Sequence, residues 1–135
     1  MAGRGDVPPL IEDRLRAVCR RLPDAYEEPA WTGTRWRVRK RTIAHACVVE
    51  ADHPNSLASA FAAEGPVCVV TFRAPGGEAG GLIASGLPFY WPGWGTNVVG
   101  MLLDDGTDWT EVAELITESY RIQAPKMLVR LLPEP

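Results

Sequence analysis

The chain is poor in the residues that build metal centres and disulfide frameworks. It contains three cysteines and two histidines in 135 residues, and Cys19, Cys47 and Cys68 form no CxxC pair. Structural zinc sites need four ligands, and covalent scaffolds use an even number of cysteines. This composition argues against both kinds of site. We expect a reducing, cytoplasmic environment, with no metal and no cofactor.

Long hydrophobic runs are also missing. No apolar stretch approaches the roughly 20 residues that a membrane-spanning helix requires, and residues 1–6 contain no apolar signal core. Hydrophobic residues make up 46% of the chain and charged residues 23%, which are ordinary values for a globular protein. The sequence therefore predicts one domain over residues 1–135, without a membrane partner.

Catalytic signatures are missing as well. Ser85-Gly86 lacks the first glycine of a nucleophile elbow. The glycines between Gly76 and Gly81 match neither the dinucleotide motif nor a phosphate-binding loop, because Leu82 stands where the latter needs lysine. The sequence therefore favours a protein that is not an enzyme, and it predicts no catalytic residue.

The hydrophobic spacing predicts an α+β fold. Helices are expected over residues 8–22 and 108–124, the second capped by Asp108 with Glu111 completing a capping box. Alternating or β-branched stretches predict strands at 35–39, 42–50, 66–72 and 96–103, with a short extended stretch at 87–92.

The remaining segments are weaker signals. Residues 23–34 are expected to form a loop, and residues 55–64 fit a short helix. Four glycines and a proline predict a mobile loop over residues 74–81, followed by one helical turn at 82–86. The resulting order is helix, three strands, short helix, two strands, helix. It indicates an antiparallel sheet of about five strands with helices packed on one face.

Positive charge is concentrated near the N-terminus. Residues 1–41 hold ten Lys and Arg against six Asp and Glu, whereas residues 42–135 hold four against eleven. One part of the surface is then locally basic in an acidic protein, which suits a polyanion or an acidic partner. The alternative is that the two halves intermix in the fold and the asymmetry disappears.

A basic strand is the main candidate for a binding site. Five cations lie within seven residues: Arg35, Arg37, Arg39, Lys40 and Arg41. If Trp36 faces the core, the arginines point away from it with a spacing of roughly 6–7 Å, close to that of successive phosphates. Arginine binds phosphate through two parallel hydrogen bonds. The pattern predicts DNA binding. The alternative is an outer sheet face whose arginines pair with Glu27, Glu28 or Glu50.

An aromatic loop over residues 89–95 is the second candidate. Its aromatic side chains are suited to a ligand pocket, a protein partner or a homodimer contact, and the candidates in the loop are Tyr90, Trp91 and Trp94. Trp31 and Lys126, outside the loop, are further candidates for the same kind of contact. The alternative for the loop is that Phe89 and Trp91 fill the space between sheet and helices. For Lys126 the alternative is a favourable interaction of its positive charge with the partial negative charge at the C-terminus of the last helix.

Three groups of residues give the chain a family resemblance. They are Arg21-Leu22-Pro23-Asp24-Ala25 with Glu27-Glu28-Pro29 and Trp36 to Arg39; Phe89-Tyr90-Trp91-Pro92; and Leu103-Asp104, Asp108-Trp109, Glu111-Val112, Leu115, Ser119-Tyr120-Arg121 and Ala124-Pro125-Lys126. This pattern resembles the MmcQ/YjbR-like family of small bacterial proteins. The resemblance implies a fold like that of secretion chaperones, no established enzymatic activity, and DNA binding expected from the shape of the fold.

Three functions are compatible with these observations. The first is a nucleic-acid-binding module that uses the basic strand. The second is a protein- or peptide-interaction module, or a homodimer, that uses the aromatic loop. The third, with the least support, is a small-molecule binder with a pocket near Tyr90 to Asn97.

Overall fold

The computed structural model describes residues 7–30, 32–49, 67–93 and 95–133. Within these ranges the elements are, in chain order, α1 (Pro9–Cys19), β1 (Tyr26–Pro29), β2 (Thr34–Val38), β3 (Arg41–Val49), β4 (Val67–Arg73), α2 (Gly76–Ala84), β5 (Phe89–Tyr90), β6 (Val98–Leu103), α3 (Trp109–Gln123) and α4 (Lys126–Val129). The strands form one antiparallel sheet in the order β1-β2-β3-β4-β6-β5.

The α+β prediction is confirmed, with six strands described rather than about five. The short helix predicted over residues 55–64 lies outside the described residues.

The helices cover one face of the sheet, which we call the inner face. Alternate residues of each strand point to it, and Trp36, Phe72 and Met101 are at most 3% exposed there. They pack in one cluster with Leu15 of α1 and Ile116 of α3, both fully buried. Burying a large apolar side chain contributes about 1.5–3 kcal/mol. The predicted apolar stripes of the two long helices therefore supply the core.

The opposite, outer face carries the polar residues of the central strands. The register places Glu28, Arg35, His45 and Thr71 in one row across β1 to β4. Arg35 and Arg37 both point to this face, because Trp36 between them is 2% exposed in the core. The predicted alternation of β2 is therefore confirmed for these two arginines.

A β-bulge in β3 fixes the position of α3. Trp36 pairs with Ala44, but Arg37 pairs with Thr42, so Ile43 is an extra residue without an opposite partner. The Ser119 hydroxyl donates to the Ile43 carbonyl at 2.6 Å, and Gln123 Nε2 donates to the Thr42 carbonyl at 2.9 Å. The helix thus supplies hydrogen bonds to two carbonyls at the irregular part of the strand.

Strand β1 corrects the sequence analysis, which placed residues 23–34 in a loop. Tyr26 to Pro29 form an edge strand on β2, with Glu27 opposite Trp36 and Glu28 opposite Arg35. Two glutamates and a proline have low strand propensity. A proline is nevertheless tolerated on an edge strand, where one side of the backbone has no sheet partner. The pairing with β2 therefore outweighs the local sequence.

Helix α2 is the second correction, because residues 74–81 were predicted as a mobile loop. The helix begins at Gly76 and includes four glycines, each of which costs about 1 kcal/mol relative to alanine in a helix interior. Ala79 is 1% exposed, and Leu82 and Ile83 pack against the core cluster. Burial of this one face outweighs the glycine content of the exposed face.

Candidate nucleic-acid interface

The candidate interface begins at the turn between β2 and β3. Val38 pairs with Arg41, so Arg39 and Lys40 form a two-residue hairpin turn, with φ angles of 49° and 67°. Positive φ at both positions is the requirement of a type I′ turn, which normally selects asparagine and glycine. Other residues in this conformation cost on the order of 1 kcal/mol each. Two cations are therefore held at the hairpin tip at some expense of stability.

The predicted strand 35–39 is displaced by one residue toward the C-terminus. β2 ends at Val38, and Arg39 lies in the turn instead of continuing the row of Arg35 and Arg37. The left-handed backbone at Arg39 ends the strand alternation. The three arginines therefore do not form one evenly spaced row.

Three elements converge beside this turn. Arg39 Nη2 lies 3.3 Å from Asp24 Oδ2, in the segment that follows α1. The Tyr120 hydroxyl of α3 donates to the Pro23 carbonyl at 2.7 Å, and Gln123 near the end of α3 donates to Thr42, next to Arg41. The hairpin tip and the C-terminal ends of α1 and α3 therefore lie at the same end of the molecule.

This end of the molecule carries a group of cations that we call the basic end. All of its members are exposed: Arg20, Arg21, Arg39, Lys40, Arg41 and Lys126. The carbonyl groups at the two helix C-termini favour positive charge nearby. In the part of the chain that the structure describes, Asp24 pairs with Arg39, and the other five cations form no ion pair. Most of the positive charge is therefore directed to solvent.

Arg35 and Arg37, by contrast, are paired with an acidic residue of β1. Glu28 Oε1 accepts from Arg35 Nε at 2.6 Å and from Arg37 Nη1 at 2.9 Å. The hydrogen bond from Arg37, followed by that from Arg35, holds the Glu28 pKa below its ordinary value of 4.5. Arg37 Nη2 also donates to the Lys40 carbonyl in the hairpin turn. The structure thus places two of the five predicted cations in an ion-pair network and leaves Lys40 and Arg41 exposed.

Glu27 belongs to a separate network on the inner face. Arg16 of α1 donates to both of its carboxylate oxygens at 2.9 Å, and the Trp36 indole donates at 3.1 Å. The hydrogen bond from Arg16 lowers the Glu27 pKa, and the same bond to Glu27 raises the Arg16 pKa. This network joins α1 to β1. It leaves Glu28 as the glutamate of this pair that faces the arginines of β2.

The aromatic loop is divided between the sheet and the solvent. Tyr90 is 6% exposed and packs over Gly100, where an added Cβ would lie 2.0 Å from the tyrosine ring. Burial raises the Tyr90 pKa. Trp91 is 56% exposed, and its indole nitrogen donates to the Gly95 carbonyl at 3.0 Å. Trp91 therefore does not fill the core, whereas Phe89 is buried there as the alternative proposed.

Other predicted site residues are dispersed. Trp31 and Trp94 lie outside the described residues. Lys126 is the first residue of α4, after the Pro125 N-cap, and its side chain is exposed at the basic end. The structure therefore brings Lys126 to the end of the molecule that holds the hairpin, rather than to the aromatic loop.

The described residues form a small pocket and a larger groove at the surface. A pocket of about 240 Å³ opens between α1 and β1 beside Cys19 and Trp36. A groove of about 860 Å³ runs along α3 between Leu22 and Leu132. Neither is lined by the aromatic loop. Burial raises the pKa of the Cys19 thiol to about 12, so this thiol is a poor nucleophile.

Within the described ranges, no group of three or more His, Cys, Asp or Glu side chains is placed to hold a metal ion. The helices within those ranges are all too short or too polar to cross a bilayer.

The sequence analysis named Glu28 as an alternative partner of the arginines but placed it in a loop, where the structure has a strand. It did not include three residues of the basic end and its ion pair: Arg20, Arg21 and Asp24. Arg20 and Arg21 were recognisable as cations in the last turn of a helix. Their proximity to the hairpin depends on the Tyr120 and Gln123 hydrogen bonds, which join residues 97 and 81 positions apart. No local pattern carries that information.

The comparisons with known proteins give one family. A family model described as YjbR matches residues 20–122, from the end of α1 to the last turn of α3. The matched span includes the complete β2–β3 hairpin and five of the six cations of the basic end. A search of the curated proteins found no match to the chain.

Proposed function

The chain belongs to the YjbR family, and from that premise we propose that it is a nucleic-acid-binding module whose contact surface is the basic end. The observation that carries this proposal is the exposed pair Lys40 and Arg41 at a hairpin tip, without an ion-pair partner among the described residues. A cytoplasmic location is part of the same proposal.

The conformation of the tip supports a binding role. A glycine at Lys40 would remove the backbone strain of a positive φ angle, yet a lysine occupies the position. Strained positions of this kind are concentrated at functional sites. A two-stranded ribbon is also narrow enough to enter a nucleic-acid groove. The charge at the turn is therefore better explained by a contact than by stability.

The charge balance limits the expected affinity. The chain has a net charge of −3, and the charged residues after residue 41 are mostly acidic. Non-specific affinity depends on the number of phosphates that are neutralised. We therefore expect few phosphate contacts, made at one end of the molecule, and binding that is strongest at low ionic strength.

The test is a pair of charge reversals. Lys40→Glu lies at the hairpin tip, whereas Arg14→Glu lies on α1, where Arg14 stacks 5.8 Å from the ring centroid of Trp109 at the opposite end of α3. The 15 residues of α3 separate the two positions by about 20 Å at 1.5 Å per residue. Both variants change the net charge equally.

Fluorescence polarisation of a labelled single strand and a labelled duplex then compares the two variants at low salt. We expect Lys40→Glu to weaken binding about tenfold or more, because a phosphate contact is replaced by repulsion. Arg14→Glu is expected to change affinity much less. Equal losses in the two variants would show that net charge, and not the basic end, determines binding.

A second candidate is a protein-interaction or homodimer contact at the other edge of the sheet. Leu87 and Trp91 flank the edge strand β5 and are 61% and 56% exposed. Aromatic side chains are enriched at interfaces. This proposal predicts a concentration-dependent dimer by light scattering that Trp91→Ser abolishes. Two results together would contradict it. The chain would be a monomer at all concentrations, and an immobilised wild-type chain would recover no partner beyond those that Trp91→Ser also recovers.

A further inference from the structure

Two guanidinium groups converge on a single carboxylate oxygen on the outer face of β2. Glu28 Oε1 lies 2.5 Å from Arg35 Nη2, 2.6 Å from Arg35 Nε and 2.9 Å from Arg37 Nη1. The three residues come from two adjacent strands, whose register places Glu28 directly opposite Arg35. This arrangement of donors is the one that proteins use to bind phosphate and other oxyanions.

We propose that Arg35 and Arg37 form an oxyanion site for a phosphoryl group, and that Glu28 fills it as a displaceable internal carboxylate. The phosphoryl group belongs either to a nucleic-acid backbone or to free phosphate. The first source rests on the proposed function, and the second does not.

Glu28 uses only part of the binding capacity of the two arginines. All of its hydrogen bonds with them are made by Oε1. Arg37 Nε is buried and has no acceptor among the residues that the structure describes. A phosphoryl group presents three acceptor oxygens and carries more negative charge than a carboxylate. It therefore satisfies donors that Glu28 leaves unused.

Displacement of Glu28 is energetically accessible. Its side chain is 31% exposed, and those of Arg35 and Arg37 are 37% and 20% exposed. Ion pairs with this exposure contribute little to stability, because water competes for both partners. A ligand that approaches from solvent can thus exchange with the carboxylate without breaking the core on the inner face.

Arg37 connects this site to the basic end. Its Nη1 binds Glu28, and its Nη2 donates to the Lys40 carbonyl in the hairpin turn. A phosphoryl group on Arg35 and Arg37 therefore lies next to the exposed cations of the tip. For a nucleic-acid strand, the site adds about one phosphate contact to those of the basic end once Glu28 is displaced.

The first arm of the test uses inorganic phosphate alone. Melting temperatures of wild type, Glu28→Ala and Glu78→Ala are measured with phosphate and with chloride at equal ionic strength. Glu78 is an exposed glutamate of α2 and serves as the matched control. We expect phosphate to raise the melting temperature of Glu28→Ala more than those of the other two, and the gain to disappear in Glu28→Ala/Arg35→Ala. Glu28→Gln repeats the comparison if the alanine variant is unfolded.

The second arm uses a labelled single strand. Glu28→Ala is expected to bind severalfold more tightly than Glu78→Ala, with a salt slope steeper by about 0.7 for one added phosphate. A phosphate response without this gain supports the site and assigns it to free phosphate, against the proposed function. A gain in the strand arm alone supports the nucleic-acid source. If Glu28→Ala matches Glu78→Ala in both arms, the oxyanion site is overturned, even where the wild type binds the strand.

Discussion

Ser119 is a buried polar side chain that joins α3 to the sheet. It is fully buried, donates to the Ile43 carbonyl at 2.6 Å and accepts from the Arg73 amide at 2.9 Å. Ile43 is the bulged residue of β3, so its carbonyl has no regular ladder partner. One hydroxyl therefore satisfies backbone groups of two neighbouring strands.

Ser119→Ala is expected to lower the free energy of unfolding by about 1–3 kcal/mol, because it leaves buried backbone groups without partners. Urea denaturation measures the loss. Ser85→Ala is the matched control, since the Ser85 hydroxyl bonds the Leu82 carbonyl at an exposed position. Its effect is expected to stay within about 0.5 kcal/mol. Equal effects of the two substitutions would show that Ser119 does not stabilise the bulge.

At the residue scale, the sequence predicts positions whose role is local. Asp108 was predicted to cap α3, and its side chain accepts from the amides of Thr110 and Glu111. The capping signal lies within four residues and needs no tertiary contact. The left-handed backbone of Arg39 and Lys40 was not predicted, because neither residue type favours that conformation.

At the scale of elements, α2 carries a testable excess of glycine. Gly80 and Gly81 lie inside the helix, and an added Cβ at either position meets no atom within 4 Å. Their substitution by alanine is expected to stabilise the protein by about 0.5–1 kcal/mol each, because alanine loses less backbone entropy on folding.

Gly86 is the matched control for this prediction. Its Cβ would also meet no atom within 4 Å, but its φ is 86°. Gly86→Ala is therefore expected to destabilise by about 1–2 kcal/mol through backbone strain alone. Thermal denaturation of the three variants measures both signs. Destabilisation by Gly80→Ala would contradict the helical assignment of this segment.

The elements also show which structures a sequence pattern can predict. α1, α3 and the central strands have strong periodicity, and the structure confirms them. β1 was assigned to a loop because its four residues form a strand only through pairing with β2. The part of α2 from Gly76 to Gly81 was assigned to a loop, with only one helical turn predicted after it, because its glycines conceal one buried stripe at Ala79, Leu82 and Ile83. In both cases tertiary contacts outweigh local propensity.

For the whole molecule, the charge asymmetry of the sequence is only partly preserved in the fold. Asp24 and Glu28 neutralise part of the positive charge of Arg35, Arg37 and Arg39. Four other cations of this part of the sequence lie at the basic end, where α1, α3 and the hairpin meet: Arg20, Arg21, Lys40 and Arg41. Sequence reasoning identified the hairpin cations, but their division into paired and exposed groups needed the three-dimensional register.

The most direct test of the basic end is the salt dependence of nucleic-acid binding by the wild-type chain. Polarisation of a labelled duplex and a labelled single strand is measured between about 50 and 200 mM salt. With about three phosphates contacted by unpaired cations of the basic end, Lys40 and Arg41 among them, the slopes of log affinity against log salt are about −2.7 for the duplex and −2.1 for the single strand. Affinity for the duplex then falls about 40-fold across this range. Absence of binding at the lowest salt, or binding that does not change with salt, would contradict nucleic-acid recognition by the basic end.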